Sequence, residues 1–409
     1  MSRHSQLGNK LVAMAFALAA VVGVGGQNIV NAQVTAYVDA TIETADKAGR
    51  LEEGILVVDG DTIVDVGKDV EIPDDARVIS LDGKTVMPGI IDPYFVYSTT
   101  GAATATRTVV FRGRTFVIPV RPTATPTSFT KIGEYFYPFN YNFMPAVRTG
   151  ITNAQLVSPG RGLSAFANIS DDRTPEMLFE KDGRIFSAVT NQTSSLDLLR
   201  KPLAAETKKT TSSKPSTSRS SSSTDTKKYW EEIKSGKKRL FVNMNTAAAI
   251  AYVLQIAKEH EKVKFVLVAT GPNLYPLLDQ IKSLKNVEII LQPGIDTVPY
   301  TRDLMNVSRL LAENEIPFAL SISLSRSQMN SNQDDPMFPV ANLVHTGLDR
   351  DLALKSLTMK PAELLGISKT HGSLAKDKKA NFLIFDGDPL TTGSRLEQVF
   401  LNGNKIHEN

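Results

Sequence analysis

The sequence predicts an α/β protein, and two observations carry that prediction. From Leu240 onward short apolar strands alternate with amphipathic helices: strand Leu240 to Val242, helix Thr246 to Lys262, strand Lys264 to Val268, helix Tyr275 to Leu284 and strand Val287 to Leu291. A helix from Leu304 to Asn314 and a strand from Phe318 to Ser321 follow. In the first helix Ile250, Val253, Leu254 and Ala257 fall on one face, and this exchange of periodicities is the rhythm of a parallel sheet or barrel. The two chain ends read instead as short hairpins. Gly54 to Val58 and Thr62 to Val66 flank Asp59-Gly60, while Ala380 to Phe385 and Gln398 to Leu401 are strands that lead into Asn402-Gly403. Both dipeptides favour tight turns between strands. An open doubly wound sheet would need a phosphate-binding glycine loop after its first strand, and the sequence has none there.

Taken in order, residues 1–32 read as an export signal: Arg3, His4 and Lys10 form a basic start, Leu11 to Val24 is apolar, and Val30-Asn31-Ala32 precedes a cut before Gln33. The expected location is periplasmic or extracellular. Retention of the segment as an anchor is the alternative, although the apolar run is shorter than the ~20 residues a membrane span needs. No later segment is apolar enough to span. At 409 residues, 42% hydrophobic and 22% charged, the chain can bury a large core or two. A net charge of +3 does not indicate nucleic acid, because much of the basic excess sits in one stretch, residues 208–228. That stretch is almost wholly Ser, Thr and Lys and is expected to be a disordered insert. Thr106 to Thr130 is read as a second irregular excursion over the site face. With no cysteine, disulfides, cysteine nucleophiles and thiolate metal sites are excluded.

The motif with the most chemical content is Val86-Met87-Pro88-Gly89-Ile90-Ile91-Asp92, followed by Pro93-Tyr94-Phe95-Val96. It resembles the signature of the amidohydrolase superfamily, an apolar strand entering P-G-[LF]-I-D and then H-x-H, whose histidines bind a catalytic metal. The resemblance extends over nearly all of the chain beyond the signal. Arg148-Thr149-Gly150-Ile151-Thr152 and Ser158-Pro159-Gly160-Arg161-Gly162 are similar to a stretch of imidazolonepropionase-like members. Ala353 to Ile367 resembles their A-L-x-x-x-T-x-x-P-A-x-x-L-G helical element, and Gly372 to Leu390 their closing pattern, with Asp377 and Asn381 as departures. The resemblance implies a (β/α)8 TIM-type barrel over residues 87–371, plus a small β-sandwich composed of residues 33–86 and 372–409. It also implies a divalent metal such as zinc and hydrolysis of carbon–nitrogen bonds.

At the positions that carry the family's chemistry, the residues here are different. Tyr94 and Val96 stand in place of H-x-H, Asn243 in place of a strand-end histidine, and Ser323 in place of the catalytic aspartate. Asp92 remains. Valine cannot ligate, and a tyrosine would first have to lose a proton with an ordinary pKa of about 10. No metal and no cofactor are therefore expected at this degenerate pocket of Tyr94, Val96, Asn243 and Ser323. The histidines at 260, 345, 371 and 407 show no paired spacing. Gly162-Leu163-Ser164-Ala165-Phe166 lacks the second glycine of a nucleophile elbow. Adjacent carboxylates such as Asp171-Asp172 and Asp334-Asp335 point apart. Two readings follow: an exported, catalytically inactive binding or scaffolding paralogue, or an active hydrolase of cyclic amides or related substrates with an atypical site. The expected partner is a small molecule or a protein, with no nucleic acid and no membrane span after signal removal, and homo-oligomers are compatible with the sequence.

Overall fold

The computed structural model describes residues 34–97, 106–111, 114–119, 129–204, 222–324 and 336–409. The export-signal reading, on residues 1–32, lies outside them. The fold is mixed α/β. Both chain ends enter one eight-stranded sheet. Its N-terminal members are β1 (Thr35–Glu43), β2 (Arg50–Asp59), β3 (Thr62–Gly67), β4 (Arg77–Ser80) and β5 (Thr85–Pro88). Its C-terminal members are β21 (Phe382–Phe385), β22 (Leu396–Leu401) and β23 (Asn404–Glu408). The ends are joined where β5 pairs antiparallel with β21, Val86 opposite Ile384. The two sequence-predicted turns also meet: Gly403, at φ +74, lies so close to the Gly60 carbonyl that a Cβ there would stand 1.8 Å from the oxygen. Phe382 and Phe400 stack at 4.3 Å, and Tyr37 packs edge-on against both, so three aromatic rings fill this sheet's own core.

A larger core belongs to two further sheets. One contains β6 (Ile90–Val96), β10 (Ile151–Val157), β12 (Ala165–Asn168) and β13 (Leu178–Glu180). The other runs β20-β17-β16-β15-β14-β11-β9, where β9 is Phe129–Lys131, β11 Arg161–Leu163, β14 Ile185–Val189 and β15 Arg239–Met244. The remaining members are β16 (Lys264–Val268), β17 (Val287–Leu291) and β20 (Phe318–Leu320). From β14 to β20 every pairing is parallel, as is β6 with β10. Their continuous burial explains the unbroken apolar runs in the sequence. The helix Ala247–Glu259 buries Ile250, Val253, Leu254 and Ala257, with the Thr246 hydroxyl capping it by accepting from the Ala249 N–H at 3.2 Å.

The parallel strands are consistent with the expected barrel, and no closed barrel is shown among the described residues: β10 with β12 and β11 with β14 are antiparallel, and no ladder joins β20 to β6. Other expectations are corrected. Thr106 to Thr130 is not wholly irregular, since β7 (Thr106–Phe111) and β8 (Arg114–Pro119) form a two-stranded ribbon. The Ser/Thr/Lys stretch is helical from Ser222, the start of the helix Ser222–Lys234, while its earlier residues lie outside the described ones. The helix expected from Leu304 begins at Val307, because Leu304–Met305 (β19) pairs instead with Asp296–Thr297 (β18) and Asn306 caps the helix. The segment Tyr275 to Leu284 is split by Pro276 into a 3-10 turn and the short helix Leu278–Lys282. Among the described residues no helix is long and apolar enough to cross a membrane.

Candidate functional site

The site grows from the end of β6. Asp92 is fully buried, and its carboxylate is committed on three sides. Oδ1 accepts from the Tyr94 N–H at 3.0 Å and from the Ser321 hydroxyl at 2.8 Å, and Oδ2 accepts from the Ser323 N–H at 2.9 Å. Ser321 and Ser323 follow β20 directly, so this one side chain bridges β6 to β20 where the ladder is missing. Burial pushes the Asp92 carboxyl above the ordinary carboxylate range, and the donors from Ser323, Ser321 and Tyr94 oppose that rise. The Ser323 hydroxyl donates in turn to the Tyr94 carbonyl at 3.2 Å.

Tyr94 is buried and its phenol is hydrogen-bonded to the Asn243 side chain at the end of β15. Burial raises its pKa, with the Asn243 contact acting the other way, so the phenol is held protonated. Val96, half-buried, pairs beside Val157 and makes no polar contact with the others. The structure thus brings Tyr94 to Asn243 and ties Ser323 to Asp92 and Tyr94, four of the five residues singled out by sequence. Ser321 was missed; lying two residues before Ser323 at the end of the same strand is the signal that could have found it.

Beside this cluster the ends of the parallel strands enclose an open cavity of about 250 Å³. Asn243 and Asn245 reach it from the end of β15, Val268 and Thr270 from β16, Gln292 from β17 and Leu324 from the turn after β20. The Asn273 amide fixes the rim, donating to the Asn245 carbonyl and the Thr270 hydroxyl, each at 2.9 Å. Asn245, Thr270 and Gln292 were not read from sequence, although each lies just past the C-terminal end of a parallel strand, where α/β folds place ligands.

The histidines lie elsewhere. His260 ends the helix Ala247–Glu259, His345 ends the helix Phe338–His345 with Nδ1 2.8 Å from the Ala341 carbonyl, and His407 is on β23. His371 is buried and stacks on Phe179. Among the described residues no group of three or more His, Cys, Asp or Glu side chains converges.

Residues 278–406 match the amidohydrolase family model. Solved structures with a similar fold include an amidohydrolase from Thermotoga maritima MSB8, with a TM-score of 0.67 at 17% identity over 92% of this chain and 100% of that one. A phenylurea hydrolase B gives 0.53 at 13% identity over 91% and 97%. A prolidase complexed with N-methylphosphonate-L-proline gives 0.50 at 14% identity over 92% and 100%. No curated protein matches the sequence. The C-terminal third of the chain is thus similar to the amidohydrolase family, and the chain as a whole shares the fold of these solved structures.

Members of that family normally use a divalent metal. The residues that the resemblance singles out, Tyr94, Val96, Asn243 and Ser323, do not fit one. Asp92 already accepts from two backbone N–H groups and a hydroxyl, Val96 has no donor atom, and the Tyr94 phenol and Asn243 amide are bonded to each other. Zinc-like ions take imidazoles, thiolates and carboxylates in preference to protonated phenols and amides.

Proposed function

We propose that this chain is a member of the amidohydrolase superfamily and a non-catalytic binding protein that keeps the strand-end cavity of a (β/α)8-type barrel for a small ligand. The observation that carries the reading is the pairing of Tyr94 with Asn243. It fills two positions inferred to be metal-binding with a neutral, mutually satisfied contact. Metal-assisted hydrolysis needs a bound cation to bring a water pKa down to about 7 and a base to take its proton. Asp92 is the carboxylate among these residues, and its hydrogen bonds hold β6 against the end of β20 instead.

In the same reading the eight-stranded sheet of the two chain ends is the flanking β-sandwich domain, and residues 1–32 direct export. N-terminal sequencing of exported protein beginning at Gln33 tests the latter.

The test of function is metal content together with thermal shift. A ligand specific for the folded state stabilises it by about 2.7 kcal/mol at one hundred times its Kd, so a true metal site registers clearly. The expected result is no stoichiometric zinc, iron or manganese and no shift on adding them. Histidine introduced at 94, 96 and 243 with aspartate at 323 is expected to raise metal uptake. One equivalent of tightly held metal in the unmodified protein, lost on chelation together with hydrolysis of dipeptides or cyclic amides, would instead establish an active hydrolase.

A further inference from the structure

The walls of the strand-end cavity combine amide and apolar side chains. Three carboxamides, Asn243, Asn245 and Gln292, stand around it with the Thr270 hydroxyl, and among the described residues no charged side chain lines it. Between them lie apolar surfaces such as Val268 and Leu324. Asn243 is occupied by Tyr94, whereas the side chains of Asn245 and Gln292 make no hydrogen bond with other described residues. Each therefore presents one acceptor and two donor hydrogens to whatever enters. The Thr270 hydroxyl accepts from Asn273, which leaves its proton to donate.

The arrangement selects against several ligand classes. No described lining side chain supplies a counter-charge to an anion or a cation. One carboxyl packs behind the wall: Asp296 Oδ2 lies 2.1 Å from where a Cβ on Gly271 would stand, one residue beyond Thr270. Burial raises the Asp296 pKa. A simple amide offers one donor–acceptor edge, which a single carboxamide satisfies, leaving the others unmatched. A ring bearing hydroxyls around its perimeter and C–H groups on its faces matches both the separated polar groups and the apolar wall between them. The cavity, at about 250 Å³, lies below the roughly 300–1,000 Å³ of pockets for drug-sized ligands, which points to a single ring.

Resting on the binding-protein reading above, we propose that this cavity takes a small neutral polyol, a monosaccharide or cyclitol, held by Asn245, Gln292 and Thr270. Calorimetric titration of the full chain with glucose, galactose and myo-inositol tests it, with glucose 6-phosphate and the cyclic amide hydantoin as competing chemistries. Saturable binding of at least one neutral polyol is expected, weakened tenfold or more by Gln292→Ala and by Asn245→Ala. The melting temperatures of the unliganded variants are expected to stay within a few degrees of the parent, which separates lost binding from lost folding. Gln292→Glu supplies a second arm, since it keeps the size of the side chain but removes its donors, and it is expected to weaken binding as well. Absence of polyol binding, a preference for hydantoin or the phosphorylated sugar, or affinity unchanged in all three variants would overturn the assignment. The two readings fail separately: metal-dependent turnover would remove the non-catalytic reading and leave a measured polyol affinity standing.

Discussion

Replacing Asp92 by alanine tests the idea that one buried carboxylate closes the seam between β6 and β20. The substitution leaves the Tyr94 N–H, the Ser323 N–H and the Ser321 hydroxyl without their acceptor. Each buried orphan costs about 1–3 kcal/mol, for a gross loss of roughly 3–9 kcal/mol. Relief of the desolvation of a buried charge returns part of that, so a net destabilisation of about 3–5 kcal/mol is expected, the range found when a buried charged contact is broken. Urea unfolding followed by circular dichroism measures it from the shift in midpoint at constant slope. Asp92→Asn sharpens the test. The amide can keep one oxygen toward Tyr94 and Ser321, but its NH2 then faces the Ser323 N–H. The pH dependence has a definite sign. Because burial raises the folded-state pKa above the ordinary 3.8, the native state binds the proton more readily than the unfolded one between those two values. Parent stability therefore falls as pH rises from 3.8 through the folded pKa, and the asparagine variant lacks this component. A loss below about 1 kcal/mol for Asp92→Ala would refute the seam, since three buried orphans cannot cost so little unless the seam has opened to water.

Three further outcomes are expected. His371 is buried, and burial with the nearby Lys379 and Lys378 charges pulls its pKa down to about 4. The unfolded state thus binds the proton first, and stability should fall as pH drops from about 6.5 to 4, by up to about 3 kcal/mol, a component that His371→Gln should abolish in urea titrations across that window. Gly403→Ala should cost about 2–4 kcal/mol in urea unfolding, combining left-handed backbone with a methyl group pressed onto the Gly60 carbonyl, whereas Gly83→Ala, at φ +82 in open space, should cost only the backbone share of about 1 kcal/mol. Arg350→Ala should destabilise by about 1–3 kcal/mol, because it leaves the buried Glu43 carboxylate to Arg50 alone and frees Asp388 from its 2.8 Å contact; a double-mutant cycle with Asp388→Ala should show coupling of at least 0.5 kcal/mol.

Much of this molecule was legible in its residues. The strands at 264–268 and 287–291 were read to the residue, since a fully buried parallel strand is a bare apolar run bounded by polar turns. The turns at Asp59-Gly60 and Asn402-Gly403 were equally local, because a positive-φ glycine declares itself. Sequence also marked Tyr94, Asn243, Ser323 and Asp92 through their register with a superfamily signature. What it could not determine were relations between distant segments. The contact between Gly60 and Gly403, the bridge from Asp92 to Ser321 and the hydrogen bond from Tyr94 to Asn243 span between 149 and 343 residues of chain and leave no periodicity behind. The antiparallel pairing of β11 with β14 could not be read from apolar runs that look alike in either direction. The carboxamide cavity was hidden for a simpler reason: Asn245, Thr270 and Gln292 are ordinary polar residues at strand ends, and only the folded sheet, by aligning three parallel strands, turns them into one surface.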